Sequence, residues 1–270
     1  MATLEDRVDI VVDEQTIAGT LITPGTLMPG VLFVHGWGGS QEQYLARARE
    51  IAALGCVCLT FNLRGHVETR TLYETVSREI NLRDMLAAHD TLARSRHVDP
   101  KAIAVVGSSY GGYLASILST LREVKWLALR APALYIDTGW ALPKLQLHQS
   151  QDLKAYRHKP VRAADNKALS ACQAFQGDVL LIESQNDNIV PRAVLSSYRD
   201  ACTQAHSLTY RCIADADHGL TDDASQRAYT VLLTNWLNEM VFGRQGMQIP
   251  PVPAAPKSPE QLPESPPKSI

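Results

Sequence analysis

The chain is short of the features that mark several classes of protein. Of its 270 residues, 26 are basic and 28 acidic, a formal net charge of −2, so there is no basic excess. A nucleic-acid binder normally carries one, and that function is not expected. No apolar run approaches the roughly 20 residues that a membrane span requires, so none is expected. The first residues lack the basic and then apolar pattern of a secretory leader, and a cytoplasmic address is the expectation. Cysteine is sparse: five residues, an odd number, without a C-x-x-C pair. Cys56 and Cys58 alternate within an apolar segment and read as small core residues, and no metal site is expected.

What is present is an ordinary globular composition, 45% hydrophobic and 20% charged, with one local bias. Residues 247–270 hold eight of the fifteen prolines. That density reads as a disordered or polyproline-like tail, in which Pro259 and the pair Pro266–Pro267 could engage an aromatic groove on a protein partner. The remaining 1–246 form one domain large enough to bury a core without disulfide or metal staples.

Hydrophobic periodicity divides this domain into alternating strands and helices. Strands are expected over 7–12 and 16–23, joined by a polar turn, then over 31–34, 56–61, 102–106, 124–129, 179–183 and 208–213. Helices are expected over 42–54, ended by Gly55, and over 80–94, 110–121, 192–201 and 225–242. Short strands apolar on both faces, separated by helices, imply an α/β fold with a mostly parallel sheet covered on both sides, here with an antiparallel N-terminal edge. Residues 132–177 break the rhythm. Their aromatic and leucine content, including Trp140, Leu142, Leu145 and Leu147, predicts a small helical cap.

The chemistry is carried by four segments. Gly107-Ser108-Ser109-Tyr110-Gly111-Gly112 follows an apolar strand and opens a helix. This is the G-x-S-x-G arrangement, in which a tight strand-to-helix turn lifts the central serine, Ser109, out of the sheet. Ser108 is a rival by type but lies at the second position, and a serine–glycine turn that merely starts a helix would read the same way. A serine hydroxyl is inert at neutral pH without a base. Of eight histidines, His218 sits in a loop directly after the last strand. His35 and His66 lie in loops after earlier strands, whereas His89, His97, His148, His158 and His206 belong to helices, the cap or strand approaches. The acid that orients the base is expected between serine and histidine. Asp187, in a loop after 179–183, fits, while Asp215 and Asp217 are too close to His218 along the chain to reach its Nδ1 easily. The order Ser109, Asp187, His218 suits one of the known serine-hydrolase scaffolds. Finally, His35-Gly36-Trp37-Gly38-Gly39 ends the 31–34 strand. There, the backbone N–H of Trp37, together with that of Tyr110, would form an oxyanion site.

With these motifs in place the chain resembles the α/β-hydrolase superfamily over roughly residues 5–242. Asn62-Leu63-Arg64-Gly65-His66 and Val98-Asp99-Pro100 add to the likeness. The Ser-Tyr-Gly-Gly elbow is similar to the branch holding dienelactone hydrolases, bile-acid acyltransferase-like thioesterases and prolyl-oligopeptidase-type peptidases. The resemblance implies nucleophile Ser109, base His218, acid Asp187, oxyanion donors Trp37 and Tyr110, and no cofactor. Two positions depart from the pattern, Gln185 where a glycine is common and Val67 after Arg64-Gly65-His66. The expected function is hydrolysis of a small-molecule carboxylic ester or thioester through an acyl-enzyme. Exopeptidase and acyltransferase chemistry are the enzymatic alternatives, and a binding protein on a hydrolase scaffold is the non-enzymatic one. Trp140, Leu142 and Leu145 are expected to line an acyl pocket, and Arg64 or Lys144 to meet an acidic substrate group.

Overall fold

The computed structural model describes residues 4–23 and 28–243. The proline-rich stretch 247–270, expected to be a disordered tail, lies outside the described residues. Eight strands form one sheet: β1 (Leu4–Val12), β2 (Gln15–Thr23), β3 (Met28–Val34), β4 (Val57–Phe61), β5 (Val98–Ser108), β6 (Trp126–Arg130), β7 (Asp178–Ser184) and β8 (Ser207–Ile213). Their spatial order is β1-β2-β4-β3-β5-β6-β7-β8. β1 pairs antiparallel with β2, and β2 antiparallel with β4, whereas every pairing from β4 through β3 to β8 is parallel. The expected α/β architecture with an antiparallel N-terminal edge is therefore present.

The helices are α1 (Glu42–Ala53), α2 (Arg78–Ala93), α3 (Tyr110–Leu118), α4 (Lys144–Ser150), α5 (Leu153–Arg157), α6 (Lys167–Ala174), α7 (Arg192–Ala201) and α8 (Asp223–Phe242). They sort onto two faces because successive strand residues point to opposite sides. In β5, Ile103 and Val105 pack with Met85 of α2, Leu114 of α3, Leu169 of α6 and Leu195 of α7. Ala102, Ala104 and Val106 point the other way, into a second core with Ile51 of α1 and Leu233, Trp236 and Leu237 of α8. The sheet thus lies between a four-helix layer and a two-helix layer.

Local signals account for most element ends. Gly55, with φ +106°, takes the left-handed position after α1. Ser77 accepts a hydrogen bond from the Ile80 N–H, so α2 begins at Arg78, two residues before the apolar pattern. α3 stops at Leu118, before the expected 121, because Thr120 and Leu121 donate to Ile117 and Leu118 in tighter turns. Within 132–177, α6 belongs to the four-helix layer, and its Ala168, Leu169 and Cys172 are buried. α4 and α5 precede it over the C-terminal edge of the sheet, where the only isolated bridge among the described residues joins Ser77 to Pro143.

Candidate active site

The C-terminal ends of the parallel strands converge on one edge, and the segments singled out above meet there. After β5 the chain turns so sharply that a Cβ on Gly107 would lie 2.6 Å from the Gly111 carbonyl oxygen, and one on Gly111 only 2.4 Å from that of Val34. Both positions exclude any side chain. Ser109 itself takes φ +51°, the left-handed region that residues other than glycine avoid. Its backbone is held by three hydrogen bonds: its N–H donates to Arg130 (2.9 Å), and its carbonyl accepts from Tyr113 (3.1 Å) and Ala133 (3.0 Å). Strain at a tightly held residue is typical of functional positions.

The loop after β8 brings His218 to this serine, with Nε2 3.0 Å from Ser109 Oγ. On its other side Nδ1 lies 2.6 Å from Asp187 Oδ2. The network assigns the proton to Nδ1, leaving Nε2 as the acceptor of the hydroxyl hydrogen. Asp187 is anchored in turn, its Oδ1 accepting the N–H groups of Ile189 and Val190 at 2.8 Å each. Of the rival acids, Asp217 is engaged elsewhere, its carboxylate accepting from the N–H and hydroxyl of Thr221. Ser108 also lines the cleft, but its hydroxyl accepts from Arg130 Nε at 3.2 Å and no hydrogen bond joins it to His218 among the described residues.

Facing Ser109 is the loop after β3. A Cβ on Gly36 would come within 3.4 Å of Ser109 Cβ, so the glycine keeps space open at the serine. Two histidines shape this loop. His35 Nε2 accepts the Leu63 N–H at 3.0 Å and Nδ1 donates to the Gly36 carbonyl at 2.8 Å. His66 Nε2 accepts the Gly38 N–H, also at 3.0 Å. Burial holds both imidazoles below their ordinary range, His35 down to about 3. The indole of Trp37 packs against His66, Tyr73 and Tyr110, and Lys144 Nζ sits 3.9 Å from its ring centroid. Among the described residues, no hydrogen bond engages the backbone N–H of Trp37 or of Tyr110.

The model of the prolyl oligopeptidase family matches residues 41–243, three quarters of the chain and all three of Ser109, Asp187 and His218. The chain belongs to that family. It is a serine hydrolase of the α/β-hydrolase superfamily. No curated protein matches it. Among solved structures it is similar to a dienelactone hydrolase from Anabaena variabilis, at 20% identity and TM-score 0.61 over 88% of this chain and 99% of that one. It is similar to Est1E from Butyrivibrio proteoclasticus with bound ferulic acid, at 16% identity and TM-score 0.67, covering 87% and 99%. The acylaminoacyl peptidase of Pyrococcus horikoshii aligns at 16% identity and TM-score 0.68 over 92% of this chain and 43% of the peptidase.

The cleft of this prolyl oligopeptidase family member, about 300 Å³, is walled by Gly36–Gly39, Ser109 and His218 on one side and by residues of α1 and α8 on the other. The residues expected to select the substrate are not in its wall. Trp140 packs on Tyr113 and Lys167, Leu145 is half-buried on α4, and Leu142 is 45% exposed. Arg64 is buried and bound to Asp84 (Nε to Oδ1, 2.5 Å) and Asp13, so its charge is neutralised within the fold. Lys144 is buried against Trp37, Tyr110 and Tyr135. In their place the cleft holds Gln43, Arg47, Arg130, Gln226 and Tyr229. A signal for Arg47 exists in the sequence, since it shares a helical face with Tyr44, Ala48 and Ile51, where apolar residues belong. Among the described residues no group of three or more His, Cys, Asp or Glu side chains could hold a metal ion, and no helix is long and apolar enough to cross a membrane.

Proposed function

We propose that this protein cleaves small carboxylic esters or thioesters by acyl transfer through Ser109, with His218 as base, Asp187 as its orienting acid, and the N–H groups of Trp37 and Tyr110 as oxyanion donors. One observation carries the reading: a single imidazole spans the 3.0 Å to Ser109 Oγ and the 2.6 Å to Asp187 Oδ2. In the first step Oγ attacks the substrate carbonyl carbon while Nε2 takes its proton. Asp187 stabilises the imidazolium that results. The carbonyl oxygen gains the negative charge, and the free N–H groups of Trp37 and Tyr110 would receive it, each such donor contributing on the order of 10²–10³ in rate. His218 then returns the proton to the leaving alcohol or thiol as the carbon–heteroatom bond breaks. A water deprotonated at the same Nε2 releases the acid from Ser109.

Esters and thioesters are favoured over peptides by the likeness over nearly their whole length to a dienelactone hydrolase and to the ferulic-acid-bound Est1E. A second reading, peptide hydrolysis, is favoured by the family itself. A fluorophosphonate probe tests the common step. The probe is expected to label the protein once, at Ser109 by peptide mapping, and Asp187→Asn is expected to slow labelling at least a hundredfold. Absence of labelling, or labelling mapped to Ser108, would contradict the assignment.

A further inference from the structure

The cleft beside Ser109 has an unbalanced charge. Arg47 and Arg130 are 8% and 7% exposed, and their guanidinium carbons lie 4.7 and 5.9 Å from the centroid of the same ring, that of Tyr229. Neither forms an ion pair within the described residues, and no Asp or Glu lines the cleft. The partners of Arg130 are neutral: Nε donates to Ser108 Oγ at 3.2 Å, and Nη1 to Ser184 Oγ at 3.2 Å and the His218 carbonyl at 2.8 Å. Arg47 Nη1 donates to the Gln43 carbonyl at 2.7 Å, while its buried Nε has no partner at all.

A guanidinium drawn back from bulk water without a counter-charge is unfavourable, and two about one ring are more so through their repulsion. Of the other buried arginines, Arg64 is paired with Asp84, while Arg78 and Arg157 donate to carbonyl oxygens inside the fold. Arg47 and Arg130 differ from these in lining the cleft at the serine. A planar, multidentate donor left unneutralised in a cleft matches an incoming carboxylate. The same cleft opens onto Ser109 and His218, and about 300 Å³ is the lower end of the range for small-molecule sites.

We propose that Arg47 and Arg130 form a carboxylate-binding subsite, and that the preferred substrate is the monoester or monothioester of a short dicarboxylic acid. The free carboxylate sits against the two guanidinia over Tyr229 while the esterified carbonyl meets Ser109. This rests on the serine-hydrolase reading above, and it reassigns to the α1–α8 side the acidic-group recognition expected of Arg64. Because Arg130 also holds the His218 backbone, Arg47 is the cleaner position to vary.

The test compares phenyl hydrogen glutarate with phenyl pentanoate, which is similar in length but uncharged. For the wild type kcat/KM is expected to favour the glutarate ester at least tenfold. That ratio is expected to fall at least tenfold in Arg47→Gln and to recover in part in Arg47→Lys. A wild-type ratio of one or less would overturn the subsite, whether or not the variants fold. So would an unchanged ratio in Arg47→Gln that is folded by circular dichroism. Binding is read separately on Ser109→Ala, where glutarate, but not its dimethyl ester, is expected to raise Tm, and Arg47→Gln in that background to abolish the rise. If no ester is turned over, or if Ser109→Ala retains turnover, the hydrolase reading fails, and the glutarate shift still decides the subsite.

Discussion

The residue with the most to lose from its own conformation is Ser109. Its φ of +51° is dictated by the turn between β5 and α3, where Gly107 and Gly111 bring backbone against backbone. A strained non-glycine backbone costs of order 1–3 kcal/mol, and alanine at this position carries that cost as fully as serine. Glycine does not. Ser109→Gly is therefore expected to be about 1 kcal/mol more stable than Ser109→Ala in urea unfolding, although both lose the hydroxyl. Equal stabilities would mean that the turn stores no strain. This residue was legible in the sequence because everything that defines it is local: an apolar strand, a five-residue motif and a helix. Arg47 left only the mark of a charge on an apolar helix face, and Arg130 none, because their unpaired state depends on which distant carboxylates fail to reach them.

Among the elements, the loops after β3 and β4 depend on one another through histidine. His35 receives the Leu63 N–H and His66 the Gly38 N–H, each at a neutral ring nitrogen. Protonation converts that acceptor into a donor and breaks the bond. Burial lowers both groups, His35 to about 3, whereas in the unfolded chain each binds a proton near pH 6.5. Below pH 6.5 the unfolded state thus takes up protons that the native state refuses. The stability these residues confer is full above that pH and is lost as the pH falls. His35 alone is expected to cost about 1 kcal/mol between pH 6 and pH 5, a window above the range where exposed carboxylates titrate. Urea midpoints for His35→Gln, which keeps an acceptor for Leu63, should show a correspondingly flatter dependence. A slope identical to wild type would contradict the account. The motif His35-Gly36-Trp37-Gly38-Gly39 marked this loop in the sequence. Its bond to His66, 28 residues on, did not follow from either segment alone.

At the scale of the whole molecule, the parallel part of one sheet brings together side chains from three loops spread over 109 residues, after β5, β7 and β8. Parallel order directs those strand ends to a common edge. That is why element order and short motifs sufficed to anticipate the architecture and the meeting of Ser109, Asp187 and His218. The cleft was not legible in the same way, because the long segment at 132–177, with its aromatic and leucine residues, packs on the four-helix side of the sheet. The space beside the serine opens on the other side, between α1 and α8, whose amphipathic patterns say nothing of the gap between them. The central claim is that turnover depends on the Ser109 hydroxyl acting with His218 and Asp187 as a unit. The most direct measurement is kcat/KM for phenyl ester hydrolysis by wild type and Ser109→Ala, prepared side by side. A loss of about 10⁶ is predicted. A variant that keeps activity within tenfold of wild type would contradict it.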